Sequence, residues 1–137
     1  MAARVIAACG GSVKGKTIGM LGLTFKPNTD DMRDSPSLAV VPALQKAGAT
    51  VRAFDPEGMD EAKKLLPPQV VYCAEPYATM PDAECLVLVT EWNEFRALDL
   101  DKVKSLLKAP AVVDLRNVYE ASEMKELGFR YTSIGRP

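Results

Sequence analysis

Residues 22–37, GLTFKPNTDDMRDSPS, carry a lysine, an arginine and three acids in one connection: Lys26, Asp30, Asp31, Arg33 and Asp34. Arginine grips phosphate or carboxylate oxygens through a planar fork, and lysine supplies a compact positive charge. Together with Arg116 further along the chain, Lys26 and Arg33 suit an anionic ligand such as a diphosphate. The same residues have a structural use. Lys26 and Arg33 either hold a ligand or pair with Asp30, Asp31 or Asp34 and order the segment.

Three further polar groups follow apolar runs: Asp55-Pro56, Thr90-Glu91-Trp92-Asn93 and Asp114-Leu115-Arg116-Asn117. Arg116 is either a ligand contact or an ion-pair partner of Asp114. Trp92 reads as a packing residue, and its place beside Glu91 leaves a substrate-side contact open. Asp55 stands where dinucleotide folds place the acid that binds the adenine ribose. Such a site needs a glycine-rich turn after the first strand. Here Gly10, Gly11 and Gly15 all come before it.

Other chemistries are excluded by composition. The chain has no histidine, which removes imidazole acid–base catalysis and the common histidine metal sites. Cys9, Cys73 and Cys85 are widely spaced and form no CxxC pair, so neither a disulfide framework nor a zinc site is expected. Cys85 lies within an apolar run and reads as a small core residue. No catalytic residue and no metal ligand is assigned.

Positioning these groups falls to an alternation of apolar runs and helical patterns. Strands are expected at 17–22, 50–54, 70–73, 85–90, 111–114 and 130–133. Several are continuous Val/Ile/Leu runs, the pattern of strands buried on both faces of a parallel sheet. Helices are expected at 36–47, 60–66, 101–107 and 122–127, with a short one near 76–80. Ser35 suits the N-cap of the first of these, Pro36 its first turn and Gly48 its end. Pro42 falls inside that helix, removes one hydrogen bond and is expected to kink it. The fold class is α/β: a doubly wound, mostly parallel, Rossmann-like sheet of about six strands with helices on both faces. In such a sheet the four polar groups gather on the carboxyl edge, where open α/β folds bind ligands. The connection at 22–36 is about twice the usual two to six residues, which marks it as a binding element. The opening stretch, residues 1–13, reads as a helix broken at Gly10-Gly11, without an obvious partner in the chain.

The length of 137 residues fits one domain. An apolar fraction of 47%, a charged fraction of 26% and a net charge of −1 are those of an ordinary globular domain. They supply no general attraction to nucleic acid or to an anionic membrane. The apolar runs are too short to span a bilayer, and no secretory signal pattern opens the chain. A cytoplasmic location is expected.

The segment GLTFKPNTDDMRDSPS resembles the signature of the carboxy-terminal domain of the UDP-glucose/GDP-mannose dehydrogenases. GATVRAFDP, LVLVTEWNEF, VVDLRN and GFRYTSIGRP are similar to further segments of that family, in family order, and the resemblance covers residues 15–137. Within the family, the bacterial members that oxidise UDP-glucose are the most similar. The resemblance implies an enzyme with an amino-terminal NAD-binding domain, a long central helix that builds a homodimer or larger assembly, and this domain over the UDP-sugar. Family enzymes oxidise C6 of the sugar from alcohol to carboxylate in two hydride transfers to NAD, with a cysteine nucleophile holding a thioester. By position, Phe25, Lys26 and Arg116 match residues that contact the UDP-sugar, and Arg33 matches an arginine that reaches NAD.

Against the family pattern, the dinucleotide fingerprint and the segment with the catalytic cysteine, lysine and aspartate are missing. None of Cys9, Cys73 and Cys85 matches the nucleophile. The resemblance therefore implies a fragment that is inactive alone, with the amino-terminal and central domains as its partners. Residues 1–14 would be the tail of the inter-domain linker helix and residues 15–137 the UDP-sugar-binding domain. Two alternatives remain. One is the same domain serving GDP-mannose or a UDP-N-acetylhexosamine. The other is a stand-alone nucleotide-binding module, against which the unpartnered opening helix argues.

Overall fold

In the computed structural model, residues 2–133 are described. The end of the GFRYTSIGRP segment, residues 134–137, lies outside them. The apolar runs form six strands: Thr17–Leu21 (β1), Thr50–Phe54 (β2), Val71–Tyr72 (β3), Cys85–Leu88 (β4), Ala111–Asp114 (β5) and Arg130–Ser133 (β6). They make one sheet in the order β3-β2-β1-β4-β5-β6, and every pairing is parallel. This is a doubly wound order. It puts the ends of β1, β2, β4 and β5 on a single edge, as the sequence leads one to expect.

The helices are Ala2–Ala8 (α1), Ser37–Lys46 (α2), Met59–Leu65 (α3), Asn93–Arg96 (α4), Leu100–Leu106 (α5) and Ala121–Glu126 (α6), with a 3-10 turn at Pro76–Thr79. Most bounds fall within one or two residues of expectation, the usual uncertainty of helix and strand ends. The single turn α4 was not expected. Its sequence, NEFR, is too short to carry a helical period. α2 runs through Pro42 without breaking. It closes with Gly48 N–H donating to Gln45 O and Ala49 N–H to Leu44 O, the paired bonds of a Schellman end.

Alternation along the central strands builds two cores. Ile18, Met20, Cys85, Val87, Ala111 and Val113 point to one face, with Val40, Val41 and Leu44 of α2 and Ala62 of α3. Leu21, Leu86, Leu88 and Val112 point to the other, with Phe95 of α4, Val103 of α5 and Met124 of α6. β1, β4 and β5 are thus covered on both sides, which is why they read as continuous apolar runs.

The opening helix has partners, contrary to expectation. α2 and α3 cover the β1–β3 half of the first face, and α4, α5 and α6 lie on the second. The first face over β4, β5 and β6 would be left bare. α1 fills that gap, packed against β4, β5, β6 and α2. Val5, Cys9 and Val13 are buried in the first core. Arg4 Nη1 donates to Ser133 O at 3.3 Å, and Lys16 Nζ donates to Cys9 O at 2.8 Å, where it meets the carbonyl end of the helix. Four apolar residues and two glycines gave no sign of this, because the surface that needs covering exists only once the sheet has formed.

β1 leaves the sheet through Gly22. Its φ is +89°, and a Cβ there would lie 2.6 Å from the Thr90 backbone nitrogen and Cβ. Gly22→Ala is expected to cost about 3 kcal/mol, the left-handed backbone and the overlap acting together. Gly10→Ala, at φ +86° with nothing within 4 Å of a Cβ, should cost only the backbone share of about 1–2 kcal/mol. Urea denaturation of the two variants measures the difference. Equal losses would contradict the close approach of Thr90.

Candidate functional site

The β1–α2 connection is tied down by three strand ends in succession. At the end of β2, Asp55 is fully buried. Its Oδ2 accepts from Leu23 N–H at 2.7 Å and Thr24 N–H at 3.1 Å, and its Oδ1 accepts from Glu57 N–H at 2.9 Å and Gly58 N–H at 2.8 Å. The Thr24 hydroxyl lies 3.2 Å from Oδ2 and 3.0 Å from Lys26 O. Beyond β4, Thr90 donates its hydroxyl to Thr24 O at 2.7 Å. Beyond β5, Arg116 Nη2 donates to Phe25 O at 2.9 Å and Nε to Val89 O at 3.0 Å. Gly58 allows the approach: a Cβ there would sit 2.3 Å from Thr24 Cγ2.

The rest of the connection folds on itself. Phe25 N–H donates to Asp31 O at 2.9 Å, closing a loop of residues 25–31. Buried Met32 returns the chain to the first core. Ser35 and Ser37 both donate their hydroxyls to Leu23 O, at 2.6 and 2.7 Å. Ser35 Oγ also accepts from Ser37 N–H at 3.2 Å, so it serves the start of α2 from one residue further out than expected.

The expected substrate residues fall into one cluster. Phe25, Lys26 and Arg116 meet where Arg116 reaches Phe25 O, with Lys26 next in the chain. The Phe25 ring is 40% exposed on this edge. Arg116 does not pair with Asp114 through its guanidinium. That group lies 3.6 Å from Glu91 Oε2. Asp114 is itself buried and holds the loop after β5: Oδ1 accepts from Arg116 N–H, and Oδ2 from Tyr119 N–H and the Tyr131 hydroxyl at 2.6 Å. Burial, with Asp114 nearby, pushes the Tyr119 phenol far up.

Arg33 stands apart from that cluster. Its fork grips Asp31, Nε to Oδ1 at 3.1 Å and Nη2 to Oδ2 at 2.9 Å. Of the three local acids, then, Asp31 takes Arg33. The side-chain bonds from Arg33, then its backbone N–H, hold the Asp31 carboxyl down at about 2. Arg33 lines a cleft of about 640 Å³ with the acids Asp30, Asp31 and Glu61 and with Thr29, Met32, Leu38 and Leu65, which Phe25, Lys26 and Arg116 do not line.

Trp92 is buried in the second core with Phe54 and Phe95, so packing is its role. Cys9 and Cys85 are buried against each other, and that contact, with burial, pushes the Cys85 thiol up. Among the described residues no group of three metal-ligating side chains forms, and no helix is long and apolar enough to cross a membrane.

A dinucleotide does not fit the switch point of this sheet. Both Asp55 oxygens are filled by the domain's own N–H groups, so no acid is left here for an adenine ribose. The outward edge of the Arg33 guanidinium has the charge and donor geometry that suit an anionic group. Sequence reasoning weighed Asp55 only as a ribose ligand. A strand-end acid with no glycine-rich turn to serve was a signal for a loop anchor.

Removing the Asp55 acceptor by Asp55→Ala leaves four N–H groups unpaired, three of them buried, and should cost at least about 3 kcal/mol. A loss under about 1 kcal/mol in urea denaturation would remove its anchoring role. The Asp31–Arg33 fork has an acid limit. The folded carboxyl is held below its ordinary 3.8, so the pair is complete above that value and is lost as pH falls through about 2. Carbon-detected NMR titration of the Asp31 carboxyl measures this, and a midpoint near 3.8 would mean the fork does not form.

A family model described as the UDP-glucose/GDP-mannose dehydrogenase family, UDP binding domain, matches residues 19–121. The UDP-glucose 6-dehydrogenase of Rhizobium meliloti (strain 1021) is 59% identical over 138 residues, covering 100% of this chain and 31% of that protein. The structure of a UDP-glucose dehydrogenase from Pyrobaculum islandicum aligns with 96% of this chain and 28% of its own, at a TM-score of 0.75 and 30% identity. That of an NDP-N-acetyl-D-galactosaminuronic acid dehydrogenase from Methanosarcina mazei Go1 aligns with 96% and 28%, at 0.82 and 29%. The chain thus spans about a third of the length of the relatives it matches. With the family signature carried on the loop that Asp55, Thr90 and Arg116 hold in place, the chain belongs to the UDP-glucose/GDP-mannose dehydrogenase family.

Proposed function

We propose that this chain is the carboxy-terminal nucleotide-sugar-binding domain of an NAD-dependent UDP-glucose 6-dehydrogenase, which converts UDP-glucose to UDP-glucuronate. The observation that carries the reading is the Arg116–Phe25 contact across the carboxyl edge. It brings two expected UDP-sugar residues together and sets Lys26 beside them. Arg116 uses Nε and Nη2 on the Val89 and Phe25 carbonyls and keeps Nη1 for a ligand oxygen. Lys26 is exposed, and its ammonium makes no hydrogen bond to a described residue. The two cations take the diphosphate, and the half-exposed Phe25 ring packs on apolar parts of the ligand.

Arg33 serves NAD held by the amino-terminal domain. Bound NAD supplies the hydride acceptor for oxidation at C6 of the sugar. Residues 1–14 are the tail of the linker helix, docked on the sheet through α1, and residues 15–137 form the binding domain. The docked α1 removes the argument that an unpartnered helix speaks against a stand-alone module. The relatives' greater length is the observation that favours a larger enzyme, built as a dimer or higher assembly through the missing central domain. The Methanosarcina relative favours an N-acetylhexosamine substrate as a second reading. At 29% identity against 59% for the UDP-glucose enzyme, it ranks below the first.

Titration of the isolated chain with UDP, followed by backbone NMR, tests the site. Lys26 and Arg116 amides should shift together, at weak affinity, because half the pocket must offset the entropy of association. Shifts confined to the opposite edge, near Gly15 or Gly48, would overturn the site. No NADH should form from UDP-glucose and NAD, and measurable turnover by the pure chain would overturn its reading as a binding domain.

A further inference from the structure

Arg33 is 89% exposed, yet its side chain has a defined orientation. Asp31 Oδ1 accepts both the Arg33 backbone N–H, at 2.9 Å, and its Nε–H, at 3.1 Å, while Oδ2 accepts from Nη2 at 2.9 Å. The carboxylate therefore covers the Nε–Nη2 edge of the guanidinium plane. The other edge, Nη1 with the second Nη2 hydrogen, has no partner among the described residues. A guanidinium carries five donors, so one bidentate edge remains for a second anion.

Asp31 divides its bonding between two sites. Its carbonyl accepts from Phe25 N–H on the sugar side, and its carboxylate serves only Arg33 and the backbone beside it. We infer that Asp31 is a positioning residue for the dinucleotide, holding Arg33 with one bidentate edge turned outward to the anionic diphosphate without touching the ligand itself. This rests on the reading of Arg33 as the cofactor contact.

Two effects of the carboxylate oppose each other. Its charge repels an incoming phosphate, and its hydrogen bonds remove rotamer freedom that Arg33 would otherwise lose on binding. Asp31 and Arg33 sit in water, where charge repulsion is screened. The fork is a contact interaction and is not screened in that way. Pre-ordering prevails, and the carboxylate raises affinity. Its low acid limit keeps it ionised at neutral pH.

Calorimetric titration of the full-length dehydrogenase carrying this segment tests the inference, with Kd for NAD and for UDP measured separately. Arg33→Ala should weaken NAD about tenfold or more. Asp31→Ala should weaken NAD about three- to tenfold, the range set by immobilising one long side chain. Asp31→Asn, which keeps an acceptor but no charge, should fall between. UDP affinity should stay unchanged in both Asp31 variants. In an Arg33→Ala background, Asp31→Ala should add nothing. In the 137-residue chain, the Arg33 Nε–H resonance should be sharp and should broaden in Asp31→Ala.

Tighter NAD binding in Asp31→Ala would make the carboxylate a competitor and overturn the inference. Equal weakening of NAD and UDP would make Asp31 a general loop anchor and overturn it as well. So would weakening that persists without Arg33. If Arg33→Ala binds NAD normally, the cofactor reading itself fails and the inference falls with it. An effect of Arg33→Ala with none of Asp31→Ala overturns the inference alone.

Discussion

A buried carboxylate without a cation organises the working edge of this domain. Asp55 is fully enclosed, and an enclosed anion carries a desolvation cost of several kcal/mol unless hydrogen bonds replace its water. Four backbone N–H groups do so, two from the connection after β1 and two from the entry to α3. Bonds to an ionised acceptor are among the stronger ones in proteins. The same N–H groups would be orphans in a tight turn if the acid were absent. One side chain therefore satisfies two loops at once, and the path of the signature loop follows from it. Gly22 and Gly58 are the spaces that let the backbones approach it and Thr90.

With residues 23 and 24 held, the next residue is placed by Arg116 and the residues beyond by Asp31. The loop thus separates into two parts with different electrostatics. On one side Lys26 and Arg116 present positive charge, with Glu91 near Arg116 alone. On the other, Arg33 is paired tightly with Asp31. Each arginine keeps part of its guanidinium outside its structural bonds. Both arginines are anchored by protein acceptors and still carry donors outside those bonds, so the domain's own contacts order the loop. That pre-ordering lowers the entropy cost of binding.

The sheet makes this edge possible by having both faces closed. A parallel sheet is stable when neither side meets water. Winding in two directions from β1 leaves a bare quarter over β4–β6, and the short helix α1 occupies it. Its own propensity could not sustain seven residues in isolation. Its stability comes from Val5, Cys9 and Val13 in the first core.

What the sequence determined by itself was the set of elements and the edge on which chemistry gathers. Continuous Val/Ile/Leu runs mean strands covered on both faces, and their alternation with helices leaves few topologies, so the carboxyl-edge cluster of Lys26, Arg33, Asp55 and Arg116 was legible. The family signature on the first loop was legible too. Tertiary structure alone decided which acid each cation meets. Lys26 and Arg33 had three acids close by in sequence, and Arg116 had Asp114 two residues away. Sequence distance does not rank such partners, because loop closure by Phe25 and Asp31 sets the distances. Arg116 turned instead to Phe25 and Val89, and Asp55 became an anchor rather than a ligand. The partner of α1 was hidden for the same reason: burial is a property of the assembled sheet, and a seven-residue helix carries no record of the surface it will cover.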